Sequence, residues 1–170
     1  MNISMYYASI PHFIRMLGNL KAILEKAAAH VEAKKIDPAA LITFRFYPDM
    51  FAFARQVQST SDIAKGCAAR LSGTESPKYE DNESSFPELI ARMDKTIAYL
   101  KTFKPEQIDG SEEREVTLNS PRGPLKFNGQ QYLLHFALPN FDFHVTTAYN
   151  ILRHNGVEIG KFDYLGAGRG

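Results

Sequence analysis

The chain has 170 residues, 20 basic and 19 acidic side chains, a net charge of +1, and 44% hydrophobic against 23% charged residues. That composition fits a globular protein with a real core, read as one domain over residues 1–170, and it lacks the basic excess of a nucleic-acid-binding chain. One cysteine, Cys67, excludes an intrachain disulfide and a cysteine-rich zinc site. The opening run MNISMYYASIPHFIRML lacks the basic start and apolar stretch of a signal peptide, and nothing approaches the ~20 apolar residues of a membrane span. A cytoplasmic protein without a membrane or nucleic-acid partner is expected.

The first element runs from about Ile3 to Lys34. Ile10, Phe13, Ile14, Leu17, Leu20, Leu24, Ala27, Ala28 and Val31 recur at the spacing of an amphipathic helix. Pro11 belongs in its first turns or bends its start. KKIDPAAL ends it, because the residue before Pro38 is pushed out of helical space. An aromatic connector, LITFRFYPDM, reads as an extended piece packed across the helices. A second helix is predicted from Pro48 or Asp49, with the stripe Met50, Phe53, Ala54, Val57, Ser61, Ala64, Cys67, Ala68 and Leu71, and it stops at Gly73.

GTESPKYEDNESS is a polar loop. Ser85-Phe86-Pro87-Glu88 fits a capping box for a third helix carrying Phe86, Leu89, Ile90, Met93, Ile97 and Leu100. Two short β-prone runs follow, Glu115 to Leu118 and Pro124 to Phe127, around the turn residues Asn119, Ser120, Pro121, Arg122 and Gly123, and predict a hairpin. The last helix spans about Gln130 to Asn155 with a kink or break at Pro139, and Gly156 caps it. The Gly-rich tail VEIGKFDYLGAGRG reads as lying along the surface. The expected fold is therefore all-α, a four-helix bundle with a small β-hairpin between helices three and four.

Chemistry concentrates on the last helix. His144 lies three residues after Phe141 and four before Ala148, inside the apolar stripe, with Asn140 one turn earlier. On the second helix Asp49, Phe53, Gln56 and Thr60 border the apolar face, so Gln56 can approach His144 if the two helices meet. Two readings stand side by side. His144 is a core histidine donating a ring N–H for packing, or it is the centre of a site with Asn140, Gln56, Asp49 or Asp62. Amide side chains bind metals poorly and a stable zinc site needs at least three good ligands, which weakens a metal reading. His135 falls on the opposite face, His12 and His30 read as boundary residues, and His154 suits the helix C-terminus. Cys67 reads as buried filler. No nucleotide-binding glycine loop, nucleophile elbow or HExxH motif occurs.

YPDMFAFARQVQSTSDIAKGCAARLSG, SSFPELIARMDKTIAYL and PNFDFHVTTAYNILRHNGVEIGKFDYLG together resemble a bacterial and fungal domain family of unknown function, grouped with the DinB/YfiT-like metalloenzymes. The resemblance implies an up-down-down-up helical bundle. It also implies a metal site of three histidines in the metal-binding members, one on the second helix and an H-x-x-x-H pair on the fourth. His144 stands at the second position of that pair, Asn140 at the first, and Gln56 is the nearest match on the second helix. One imidazole of three survives, which implies a relic pocket of Asp49, Gln56, Asn140, His144 and Tyr149. Two functions follow. One is a non-catalytic bundle that binds an unknown small molecule or forms a homodimer. The other is a nickel- or zinc-dependent enzyme, such as a thiol transferase, using His144 as ligand with Tyr149 and Tyr47 as acid–base candidates.

Overall fold

The computed structural model describes residues 3–121 and 123–167; Arg122 of the expected turn, Met1 and Asn2, and the last three residues of the tail lie outside the described residues. Most of the chain is helical. Four long helices pack on one another: α1 (Met5–Lys34), α3 (Phe53–Ser72), α4 (Phe86–Leu100) and α7 (Leu138–His154). Short helices fill the connections: α2 (Pro38–Ile42), α5 (Pro105–Ile108), α6 (Gly129–Gln131) and α8 (Lys161–Leu165). The hairpin forms as expected, β1 (Glu115–Leu118) pairing antiparallel with β2 (Leu125–Asn128) so that Val116 faces Phe127. Among the described residues no helix is long and apolar enough to cross a membrane.

The apolar stripes meet in one cluster. Phe13, Leu17, Leu20 and Leu24 of α1, Phe53 and Val57 of α3, Leu89 and Met93 of α4, and Phe141 and Leu152 of α7 are all fully buried in it. Ser4 caps α1, and the α1 amide of Tyr6 donates to Asp109 Oδ1 at 2.8 Å, tying α5 to the start of the helix. Pro11 lies inside α1 without ending it; the carbonyl it leaves without a helical donor is that of Tyr7, an exposed residue, where water can serve.

Three boundaries differ from expectation. The helix expected at Pro48 or Asp49 starts at Phe53. Pro48 and Asp49 instead occupy the centre of a turn closed by Met50 N–H donating to Tyr47 at 3.0 Å, a place that suits proline, and the Phe53 amide donates back to Phe44 at 2.8 Å. The break at Pro139 is a π-helical segment, Tyr132–Ala137, leading directly into α7. Proline cannot donate to the fourth residue before it, and its ring crowds that carbonyl; a wider turn relieves both. The tail is not a surface strip: Val157 and Ile159 are buried, and α8 packs on α1 through Lys26 to Asp163 at 2.6 Å and Asn19 Nδ2 to the Tyr164 carbonyl at 3.0 Å.

The capping box at α4 forms with one change. The Ser85 hydroxyl accepts from the Glu88 amide, while the Glu88 carboxylate reaches the Ser84 amide and the Ser85 hydroxyl, both at 2.8 Å. Those bonds, the one from the Ser84 backbone first, hold the Glu88 carboxyl below the usual carboxylate range.

A charged network holds the loop between α3 and α4. The Arg92 guanidinium, on the buried face of α4, is 1% exposed and binds Asp62 at 2.8 Å, Asp81 at 3.0 Å, Glu83 at 3.0 Å and the Ser61 hydroxyl at 2.6 Å. Lys65 adds a bond to Asp62 at 3.1 Å, and Arg55 pairs with Asp81. Removing the Arg92 cation leaves Glu83 without a cationic partner among the described residues and deprives Asp62 and Asp81 of one each, so Arg92→Met is expected to cost about 3–5 kcal/mol in urea unfolding. At Gly129 a Cβ would overlap the backbone oxygen of Ser111. Gly129→Ala is therefore expected to lower stability by about 1–3 kcal/mol in the same assay, as overpacking against rigid backbone does.

Candidate functional site

α3 and α7 pack side by side and bring Gln56 and His144 together. His144 Nδ1 and Gln56 Oε1 are 2.6 Å apart and buried. The Gln56 amide is oriented by its other end, since Nε2 donates to the Phe51 carbonyl at 3.1 Å. Its oxygen can only accept, so Nδ1 of His144 carries the proton. In the neutral ring Nε2 then has the free lone pair. Burial, and after it the nearby Arg55 charge, lowers the imidazole below its ordinary value, which keeps the ring neutral at pH 7.

The pair opens onto a cleft of about 250 Å³ lined by Asp49, Met50, Phe51, Gln56, Phe143 and His144. Phe51 stacks on the His144 ring at 6.2 Å and 13°, and Phe143 meets it edge-on at 5.4 Å. Both phenyl rings are about half exposed, at 50% and 55%, so the cleft has an aromatic rim facing solvent. The guanidinium of Arg55 lies 5.6 Å over the Phe51 ring. Asp49 joins the site from the turn before α3, not from the helix where it was expected.

The other expected residues lie elsewhere. Asn140 is half-buried one turn before His144, does not line the cleft, and makes no hydrogen bond to Gln56 or His144 among the described residues. Tyr149, five residues after His144, is turned about 140° around α7 and packs on Tyr164. Tyr47 is exposed, and Asp62 is committed to Arg92 and Lys65. His12 approaches Asp142 at 3.4 Å, His135 and His154 are exposed, and Cys67 is buried, its thiol pushed up to about 12 mainly by that burial.

These residues do not fit a metal of the kind the superfamily resemblance implies. The partner of the one buried imidazole is an amide, a poor metal ligand, and among the described residues no three His, Cys, Asp or Glu side chains are grouped to share an ion.

The sequence reading missed Phe51 and Phe143 as walls of the cleft and missed the Arg92 network. The signals were present. Arg92 follows Leu89 by three residues, inside the apolar stripe of α4, and the preceding loop carries Glu80, Asp81 and Glu83. Phe143 adjoins His144, in a position where a surface helix would carry a polar side chain.

The helical fold is shared by solved DinB proteins. A DinB family member from Shewanella denitrificans superimposes with a TM-score of 0.87 at 40% identity over 97% of this chain and 93% of that one. A DinB-like protein from Bacillus subtilis matches at 0.57 and 18% identity, over 86% and 91%, and supports the fold alone. Residues 5–165 match the domain of unknown function DUF1993, and the chain belongs to that family. No curated protein matches.

The lowered imidazole pKa sets a pH dependence. The unfolded chain takes up a proton at His144 near 6.5, whereas the folded chain resists until lower pH. Stability is therefore lost on acidification from above 6.5 down to the folded value, and is not lost further below it. His144→Phe is expected to lose less stability than wild type between about pH 7.5 and about pH 5.5, measured by urea unfolding at each pH.

Proposed function

We propose that this DinB-like protein binds a small molecule without metal catalysis, in the cleft beside His144, where the resemblance implies the metal site of other members. The observation that carries this reading is the chain of bonds from the Phe51 carbonyl through Gln56 to His144, at the base of a cleft with an exposed aromatic rim. It fixes one tautomer and leaves Nε2 as an acceptor. A planar, largely apolar molecule with one O–H or N–H donor suits that arrangement: the donor meets Nε2 and the ring lies against Phe51 and Phe143. The cross-pairing of α1 with α4 and of α3 with α7 supports an up-down-down-up course for the bundle.

The aromatic rim also supports a homodimer as a second reading, since Phe51 and Phe143 are exposed on it and Phe46 and Tyr47 are exposed in the connector before α3. A single monomeric mass at all concentrations in light scattering would remove it.

The test of the first reading uses phenol as probe and the backbone amide signals of Phe51, Gln56 and Phe143, which line the cleft, in nitrogen-edited NMR. A saturable shift that disappears in His144→Phe is the expected result. No shift, or one indifferent to that substitution, overturns it. Elemental analysis of untagged protein prepared without chelators tests the metal alternative. About one equivalent of nickel or zinc, lost in His144→Phe, would replace the present reading with that of a metal-dependent enzyme, the thiol transferases included.

A further inference from the structure

A second cleft lies at the other end of α3, fourteen residues or about 21 Å along the helix from Gln56. It has a volume of about 460 Å³ between α3, the β-hairpin and the π-helical segment. Its floor is Tyr132, whose ring is 2% exposed and stacks on Phe136, the residue one turn further along the π segment. Arg70 reaches over this floor. Its NH1 donates to the Tyr132 hydroxyl at 3.1 Å, and the guanidinium carbon lies 5.8 Å from the ring centre.

Three features mark this pair as more than packing. First, Arg70 has no acidic partner among the described residues, although the protein pairs its other arginine on this helix, Arg55, with aspartates. Second, the phenol oxygen accepts from Arg70, so the phenol's own proton has no acceptor among the described residues. Burial raises the Tyr132 hydroxyl above the usual phenol range, so that proton stays on and is available to donate. Third, the guanidinium lies back along α3 against Gly66, where a Cβ would come within 2.5 Å of NH1. A glycine one turn before Arg70 leaves the room that places the cation over the tyrosine.

The cleft thus presents several spare guanidinium N–H groups and one phenol O–H to a single acceptor. Asp62 lies at its edge, but three cations, Arg92, Lys65 and Arg55, surround that carboxylate and offset its repulsion. The rest of the lining combines an apolar wall, Ile63, Leu118, Leu125 and Phe136, with the hairpin residues Thr117, Asn119 and Ser120. Leu125 is 40% exposed on the hairpin, a poor place for a leucine that has nothing to cover.

We propose that this cleft binds a small amphipathic oxyanion, a carboxylate or a phosphate ester, with its head on Arg70 and Tyr132 and its apolar body between Leu118, Leu125 and Phe136. A planar fork of N–H donors beside a hydroxyl donor is suited to two oxygens of one head group. The apolar wall distinguishes such a molecule from a free inorganic ion.

Hexanoate, phenyl phosphate and inorganic phosphate serve as probes, followed through the backbone amide signals of Leu118, Leu125 and Phe136, which line the cleft, in NMR. A saturable shift with hexanoate or phenyl phosphate is expected, and the tighter of the two identifies the head group. Binding should weaken about tenfold or more in Arg70→Gln, the loss expected when a charge-assisted bond is removed. Gly66→Ala, which keeps the charge but displaces it, should weaken binding too, and Tyr132→Phe should weaken it less than Arg70→Gln. Arg70 is exposed, so Arg70→Gln should leave the unfolding temperature near wild type. Absence of saturation with both organic probes overturns the proposal, as does binding unchanged in Arg70→Gln. Inorganic phosphate binding as tightly as either organic anion overturns the assignment of an apolar body.

Discussion

The Arg92 guanidinium is the interaction on which the rest of this structure leans. It sits on the buried face of α4 and is nearly sealed from water. A bare guanidinium there would be prohibitively desolvated, so its position requires carboxylates to be brought to it. α3 supplies Asp62 and the Ser61 hydroxyl, and the loop between the helices supplies Asp81 and Glu83. The loop is thereby folded against the helices instead of running free. Tyr79 is held within it by cationic neighbours, with Lys95 at 4.0 Å and Arg92 at 5.4 Å from its ring. One buried cation thus sets how α3 meets α4.

That constraint explains the character of α3. A helix packed on two long neighbours would ordinarily be apolar on both contacting faces. This one buries Gln56, Gln58, Thr60, Ser61 and Lys65 as well as Phe53, Val57 and Leu71. Gln58 donates to Glu83 and so belongs to the Arg92 network, whereas Gln56 faces the opposite way, towards His144. Arg55 connects the two: it pairs with Asp81, lies over Phe51, and its charge helps to disfavour protonation of His144. A change in the charged loop therefore has a physical route to the imidazole, through one guanidinium and one phenyl ring.

The sequence showed the helices well where the apolar period was long. The stripes of α1 and α4 predicted their buried residues because each has a wide apolar face, and Gly73 and Gly156 marked ends where the chain turns left-handed. It showed the hairpin because turn residues separate two β-prone runs. It also allowed Gln56, on the border of one apolar face, to approach His144, inside the stripe of another, if the two helices meet, and they do. It misled where local signals served another purpose. Pro48 and Asp49 look like a helix start yet close a turn, because the Phe53 amide is engaged by Phe44 across the connector. Val157 and Ile159 alternate too briefly to announce a buried segment, and α8 is visible only once α1 offers it Asn19 and Lys26. Asn140 and His144 share a helical face, but the aromatic rings that make the cleft come from Phe51 in a connector and Phe143 at the edge of the stripe. No periodicity assembles those.

The amide that holds His144 decides what this imidazole can do. A metal ligand must present its lone pair to the ion, and its other ring nitrogen is then the one that donates to a support. Here an amide provides that support: Gln56 fixes the Nδ1–H tautomer of His144, and the backbone of Phe51 fixes Gln56. The ring is as well oriented as a metal-bound one, yet Nε2 stays available to a hydrogen-bond donor. Burial keeps it neutral, so it can accept without first losing a proton. An oriented neutral imidazole in an aromatic cleft favours recognition of a donor over Lewis-acid chemistry. The bond to Gln56 thus leaves the ring one oriented acceptor, Nε2.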